Sequence, residues 1–333
     1  MKKMQILLIV LFAFLISSFS VPGMADPLSL TRSGSDKAFI DPSPWSGYWW
    51  SRKEGNLVQI MKKYDAYVQK TRRKSPGASA WESNERNGHY DPAGPNWAGH
   101  CNGWAAAAIL EPEPRTPRTI HEVAFSVGDQ KGLLSEMYMS CHAEFYGKRK
   151  NDSFPLSKDI APNLFHKLLI ENIKLRKRAM VADTTFNAPV WNFPIYGYET
   201  EWKTTTLIPF RKTVTTTVHF VHDGVPPDFL GTKPFTKTYH YILYTNPRGE
   251  VIRGDWDAKS QFDHPDFVWI PTGAAETESG ENPCLDRQII QEIISGKPTD
   301  GGEENVTSPV ESDLTESDEA LNEVGLNPGE LFN

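Results

Sequence analysis

The chain has 333 residues, of which 39% are hydrophobic and 10 are tryptophan, so it can form a sizeable core in one large domain or two small ones. The formal net charge is −7, but residues 297–333 hold ten acidic residues and one lysine, so roughly −9 lies in this tail and the rest is close to neutral. The absence of a basic patch or nucleic-acid-binding motif excludes nucleic acid as a partner class.

Residues 1–25 have the pattern of a secretory signal peptide. Two lysines precede an apolar stretch, 6–16, which is too short for a comfortable membrane span. Gly23 and Ala25 occupy the −3 and −1 positions of a cleavage site, so Asp26 is the expected mature start. We therefore expect a secreted or periplasmic protein with no stable membrane anchor after cleavage; a retained anchor is the alternative.

Helices are expected in the first half of the mature chain, before residue 179. Apolar residues at helical spacing predict an amphipathic helix over 56–72, and further helices are expected after Cys101, near 131–144 and over about 162–178. The segment 26–54 is rich in aromatic residues and is expected to be a loop that caps the core.

The second half of the chain is expected to form an antiparallel sheet. Runs of β-branched and aromatic residues, separated by turn residues, predict strands at 214–221, 236–244 and 249–255. Helices followed by strands predict an α+β fold for a single domain over 26–296. The acidic tail, 297–333, has few large apolar residues and is expected to be disordered.

Cys101 is the strongest candidate for a chemically active residue. It ends a loop interrupted by glycines and prolines, and an alanine-rich segment of high helix propensity follows it at once. The sulfur is therefore expected at a helix N-terminus, where the helix dipole and free N–H groups favour a nucleophilic thiolate. A buried, inert cysteine is the alternative interpretation.

The other two cysteines, Cys141 and Cys284, leave two possibilities open. In an exported protein they could form a disulfide if Cys101 is the free thiol, or all three thiols could be unpaired. There is no Cys-x-x-Cys pair or repeat of ligands, so no metal site and no cofactor are expected.

A cysteine nucleophile needs a base and a group that orients the base. The turn residues 246–249 separate two predicted strands, and a two-residue turn centred between Pro247 and Arg248 places His240 directly opposite Asp255. A bulge near Gly254 would bring Asp257 to that position instead.

Other histidines compete with His240 for the role of base. His264 is held extended by the proline that follows it, and Asp263 or Asp266 could orient it. His100 is expected to point away from the adjacent sulfur. His219 and His222 precede a proline-rich loop and are expected to be structural or solvated.

Three segments carry a resemblance to a known family. They are 99–105 (GHCNGWA), 190–199 (VWNFPIYGYE) and 254–256 (GDW) leading to 264–267 (HPDF). A cysteine that opens a helix, followed by a histidine and then an acidic residue on later strands, resembles the papain-like superfamily. More specifically, the chain over residues 40–271 resembles the transglutaminase-elicitor family of oomycete and bacterial proteins. Phe193 and Tyr196 depart from the peptide that plants recognise in the oomycete enzymes.

The resemblance implies a papain-like or transglutaminase-like fold, in which a helical part carrying the nucleophile packs on an antiparallel sheet. It also implies a protein-glutamine γ-glutamyltransferase. Cys101 would attack a glutamine of one protein to form a thioester, and His240, oriented by Asp255, would activate an incoming lysine or other amine. His264 is the alternative base. Four tryptophans would exclude water from the substrate cleft: Trp97, Trp104, Trp191 and Trp256.

Two further functions remain open from the sequence alone. A papain-like protease or amidase would use the same triad, because water and an amine compete for the same thioester. A non-catalytic surface or host-interaction protein would instead use the aromatic loops and leave Cys101 inert.

Overall fold

The computed structural model describes residues 29–30, 32–148, 159–184, 189–205, 208–274 and 282–297. The predicted signal peptide and nearly all of the acidic tail lie outside these residues. None of the helices within them is both long enough and apolar enough to cross a bilayer.

The helices lie mainly in the first half of the chain, as expected. They are α1 (Asn56–Arg72), α2 (Ala78–Glu82), α3 (Cys101–Leu110), α4 (Val127–Met137), α5 (Pro162–Leu168), which continues as a π-helix over Leu169–Arg176, and α6 (Arg287–Ser295). The predicted helices at 56–72, after Cys101 and over 162–178 are confirmed.

The ten strands are β1 (Ser33–Phe39), β2 (Arg118–Ile120), β3 (Val123–Phe125), β4 (Cys141–Gly147), β5 (Met180–Asp183), β6 (Asn192–Thr205), β7 (Ile208–Val221), β8 (Pro234–Thr245), β9 (Val251–Trp256) and β10 (Phe267–Ala274), within the described part of the chain. The three predicted strands correspond to β7, β8 and β9.

Eight strands form one antiparallel sheet in the order β4-β10-β5-β6-β7-β8-β9, with β1 also paired to β6. Helix α3 packs on this sheet against β10, β5 and β6, and α4 packs on α3. Mixed helices with an antiparallel sheet confirm the predicted α+β class.

Two predicted boundaries are wrong. The helix expected near 131–144 begins earlier, because Ser126 and Asp129 form a reciprocal capping box, and it ends at Met137. Residues 141–147 are instead strand β4, which pairs with β10. The segment expected to be a loop over 26–54 contains β1, whose backbone groups pair with β6.

Helix α3 is apolar on all sides because it is buried between the sheet and α4. Its alanines at 105–108 are almost fully buried. A Cβ on Gly103 would lie 2.1 Å from the backbone oxygen of Ser135 in α4, so only glycine permits this close approach of the two helices. The tight contact fixes the position of the residue that opens α3.

Candidate active site

Cys101 is the first residue of α3, which confirms its predicted place at a helix N-terminus. The loop before it lies against Trp49: the His100 backbone N–H donates to the Trp49 carbonyl over 2.6 Å, and a Cβ on Gly99 would lie 2.3 Å from the same oxygen. The glycine and the hydrogen bond therefore hold the start of the helix in one place.

The sulfur of Cys101 contacts polar groups at and just before the start of β6. The side-chain amide of Asn192 donates to Sγ over 3.6 Å, and the thiol lies 4.0 Å from the Val190 carbonyl oxygen. The indole N–H of Trp269 donates to Asn192 Oδ1 over 2.9 Å, which orients the amide so that its N–H faces the sulfur. The thiol is 7% exposed.

Two buried carboxylates, Asp183 and Asp223, influence the Cys101 thiol beside Asn192. Asp183 pairs with Asn192 across β5 and β6, and its Oδ1 accepts the backbone N–H of Trp191 over 3.1 Å. On the other side β7 ends at Val221, and Asp223 follows two residues later, where its negative charge acts on the Cys101 thiol. Asp183 and the amide therefore share one face of the sheet, and Asp223 lies beyond the end of β7.

Asp223 presents a buried carboxylate oxygen close to this site. Asp223 is 3% exposed, and its Oδ2 is buried without a hydrogen-bond partner among the described residues. Its Oδ1 lies 3.4 Å from Nδ1 of His222, whose ring contacts Phe193 on the opposite face of the sheet at a centroid distance of 5.9 Å. Asp223 thus has an acceptor oxygen available for a proton.

The environment keeps the thiol of Cys101 protonated. Burial raises its pKa, the negative charges of Asp223 and Asp183 raise it further, and the hydrogen bonds from Asn192 oppose the shift only in part. A helix N-terminus contributes about 0.3–1 kcal/mol towards the anion, which is less than the cost of desolvating it. Burial therefore outweighs the effect of the helix N-terminus on the thiol. Cys101 loses its proton only as it reacts.

The predicted pairing of His240 with Asp255 is wrong. Asp255 pairs with Ile242, a shift of two positions, and the backbone of Asp257 bonds that of His240. The turn is longer than two residues because Gly249 adopts a left-handed conformation, at φ 88°, and a further irregularity separates Tyr244 from Thr245.

The structure also does not bring His240 to Cys101. His240 pairs with Thr215, Thr215 pairs with Glu201, and the His240 Nδ1 lies 3.1 Å from the Thr215 hydroxyl. No described contact joins His240 to Cys101, although the hydroxyl of Tyr239, its neighbour in β8, lies 3.4 Å from the Thr184 carbonyl. Asp255 is half exposed and contacts Arg253 at 3.3 Å.

His264, the alternative base, is engaged elsewhere. Its Nε2 lies 3.1 Å from Asp159, its Nδ1 lies 2.8 Å from the Ser260 carbonyl, and its ring stacks on Trp256. Trp256 pairs with Tyr241 in β8, and His264 lies three residues before β10, whose Val268 pairs with Ala182 beside Asp183. The expected orientation by Asp263 or Asp266 is replaced by a buried pair with Asp159.

The remaining predicted cleft tryptophans have different surroundings. Trp104 is fully buried, with Gly47 packed so closely that a Cβ there would lie 2.3 Å from the indole, so it belongs to the core. Trp191 is half-buried beside Asn192 and stacks on Phe193 at 6.2 Å. Trp97 is half-buried in the loop before α3.

A groove of about 1000 Å³ lies at the other end of α3 from Cys101. Its walls include Leu110 at the end of α3, the segment Ile40–Trp45 and the basic pair Lys177 and Arg178. The ten residues of α3, about 15 Å at 1.5 Å per residue, separate this groove from the thiol.

All three cysteines are free thiols, so the disulfide between Cys141 and Cys284 does not form in this structure. Burial raises the pKa of the Cys141 thiol to about 12. Cys141 lies in β4, whereas Cys284 precedes α6 and is half-buried.

A second polar cluster lies close to the start of α3 and is suited to a metal. It consists of Glu82, His89, His100 and Glu136, all buried, with ligand atoms that lie within 4.8 Å of one another. This cluster is not apparent from spacing along the chain, because the four residues are spread over α2, two loops and α4.

Comparisons with known proteins agree with this architecture. The sequence matches the transglutaminase elicitor family over residues 50–226 and 212–296. The structure is similar to that of the GP42 transglutaminase from Phytophthora sojae, with a TM-score of 0.64 and 21% identity over 81% of this chain and 93% of that one. No curated protein matches the sequence significantly. The chain thus belongs to the transglutaminase elicitor family.

Proposed function

We propose that this protein is an exported transglutaminase-like acyltransferase in which Cys101 is the nucleophile. One observation carries the proposal: the thiol opens a helix and contacts the oriented amide of Asn192, close to the buried carboxylates Asp183 and Asp223. Membership of the transglutaminase elicitor family supports the reaction class, and the N-terminal sequence supports export.

In the proposed first step, Cys101 Sγ attacks the γ-carboxamide carbon of a protein glutamine. The thiol proton passes to Asp223, whose Oδ2 has no other partner in the described structure, as the C–S bond forms. The Asn192 N–H that now faces the sulfur stabilises the oxyanion. The C–N bond then breaks, the leaving nitrogen takes the proton from Asp223, and ammonia departs from the thioester.

In the second step a primary amine attacks the thioester carbon. Asp223 accepts the amine proton, the C–S bond breaks, and the proton returns to the sulfur of Cys101. Proton transfer is coupled to bond formation because the resting thiol is neutral. The placement of a nucleophile at the start of a helix that packs on an antiparallel sheet is the feature that this proposal shares with papain-like enzymes.

Amine incorporation tests the proposal. The mature chain from Asp26 is mixed with a glutamine-bearing protein and a fluorescent primary amine, with and without calcium. We expect wild-type protein to label the acceptor, Cys101→Ser to give no labelling, and the matched thiol control Cys284→Ser to retain it. Fragmentation of the acceptor by wild type alone would support the protease or amidase instead.

A non-catalytic binding protein is the second candidate. The buried thiol with a raised pKa, and the groove at the opposite end of α3, favour it. It predicts that Cys101 in the folded protein reacts with iodoacetamide no faster than Cys141 and that no acceptor is labelled.

A further inference from the structure

We propose that Glu82, His89, His100 and Glu136 bind one four-coordinate divalent transition-metal ion, with zinc preferred. These residues come from the end of α2, the loop after the 3₁₀ turn Glu85–Asn87, the residue before α3, and α4. The inference concerns the stability of this region and does not depend on the proposed acyl transfer.

Several distances between donor atoms are close to those around a tetrahedral ion, and the four ligand atoms lie within 4.8 Å of one another. His89 Nδ1 lies 3.2 Å from Glu82 Oε1 and 3.1 Å from Glu136 Oε1, and His100 Nδ1 lies 2.9 Å from Glu136 Oε2. Zinc bonds to nitrogen and oxygen of about 2.0–2.2 Å place neighbouring ligand atoms roughly 3.3 Å apart. Small movements of the side chains would therefore admit the ion at the centre.

Hydrogen bonding alone does not satisfy the cluster. His89 Nδ1 faces oxygens of two different carboxylates but can carry only one hydrogen. Glu136 Oε1 is buried, lies 3.1 Å from the shared His89 Nδ1 and has no well-formed hydrogen bond among the described residues. His264 provides a contrast, because each of its ring nitrogens faces its own acceptor. Nε2 faces Asp159, and Nδ1 faces the Ser260 carbonyl.

The balance of charge also favours a divalent cation. Glu82 and Glu136 are 1% and 0% exposed, so their negative charges need compensation, which the neighbouring histidines supply only when both are protonated. A divalent cation with two neutral imidazoles gives a neutral site. Asn282 Nδ2 donates to Glu82 Oε2 over 2.9 Å, which orients this carboxylate from outside the site.

The chemistry of the ligands selects the type of metal. Two imidazole nitrogens and two carboxylates in a closed, buried site suit zinc and related transition metals. Calcium requires six to eight oxygen ligands, and magnesium retains water in an octahedral shell, so neither fits this site. Because His100 precedes Cys101, the bound ion would also fix the start of α3.

Elemental analysis of the purified mature chain tests the site. After dialysis against a chelating resin, we expect about one equivalent of zinc per chain in wild type. His89→Gln and Glu136→Gln should retain less than about a tenth of it, given the loss of a ligand. The buried-histidine control His166→Gln, which lies outside the cluster, should retain the full equivalent.

A measurement on wild type alone covers the case in which these variants fail to fold. Protein refolded with Co²⁺ in place of zinc should show the intense visible absorption of a four-coordinate site, and refolding with a chelator should lower the melting temperature. Folded wild type without bound transition metal, without the cobalt absorption and without a chelator effect would overturn the inference. Equal zinc in wild type and both ligand variants would also overturn it.

Discussion

Asn192 connects the Cys101 thiol to Trp269: its amide nitrogen donates to the sulfur over 3.6 Å, and its oxygen accepts the indole N–H over 2.9 Å. One side chain therefore forms hydrogen bonds with two buried groups that lie on different elements. The amide can keep this orientation because Trp269 is fully buried on the adjacent part of the sheet.

Replacing Asn192 should destabilise the protein and leave the thiol without its donor. We expect Asn192→Leu to lower the free energy of unfolding by about 1–3 kcal/mol, since two buried polar groups lose this partner. Urea denaturation measures the change. The exposed capping residue gives a control, Asn84→Ala, which should cost about 1 kcal/mol or less. Equal effects of the two substitutions would contradict the proposed bridge.

Gly103 should tolerate no side chain. A Cβ there would lie 2.1 Å from the Ser135 carbonyl, so Gly103→Ala must separate α3 from α4 and should cost about 1–3 kcal/mol. A Cβ on Gly273 would meet nothing within 4 Å, so Gly273→Ala provides the matched control and should be nearly neutral. Thermal unfolding of the two variants checks the difference, and similar melting temperatures would be inconsistent with the packing.

His166 should make stability depend on pH. Burial lowers its pKa to about 4, so the unfolded chain, with an ordinary histidine pKa near 6.5, binds more protons between these values. Stability from this residue is present above about pH 6.5 and is lost as pH falls towards 4, by up to about 3 kcal/mol.

His166→Asn isolates this contribution because asparagine can replace the contact of Nδ1 with the Tyr241 hydroxyl, at 2.8 Å, without titrating. Urea denaturation at pH 7 and pH 4.5 should show a smaller loss of stability in the variant than in wild type. Parallel losses in the two proteins would mean that His166 is not the group responsible.

His240 should be dispensable for acyl transfer because its ring contacts the Thr215 hydroxyl and no described contact joins it to Cys101. We expect His240→Ala to incorporate amine within about twofold of wild type, whereas Asp223→Asn should lose about 10²-fold or more, as expected for removal of a general base. Initial rates of amine incorporation measure both. The reverse order of effects would restore the histidine as the base.

The position of Cys101 at a helix start is predictable because a local signal, a glycine-containing loop followed by an alanine-rich segment, defines that start. The partners of the thiol were not predictable in this way. Asp183 and Asn192 come together only through the pairing of β5 with β6, and Asp223 follows the end of β7; single-strand patterns do not specify these relationships.

The hairpin of β8 and β9 illustrates the limit for register. Both strands were predicted correctly, but the positive φ of Gly249 and the irregularity at Tyr244 and Thr245 added residues to the turn. A shift of two positions keeps each side chain on its predicted face and still changes every partner. The facing pair of His240 and Asp255 was lost for this reason alone.

Direct detection of the thioester tests the central claim most sharply. The mature protein is incubated with a glutamine-containing peptide in the absence of amine, quenched in acid, digested and analysed by mass spectrometry. We predict an acyl adduct on Cys101, equal to the peptide less ammonia, which disappears when a primary amine is added. An unmodified Cys101 together with released peptide product, or an adduct on another residue, would contradict the assignment of Cys101 as the nucleophile.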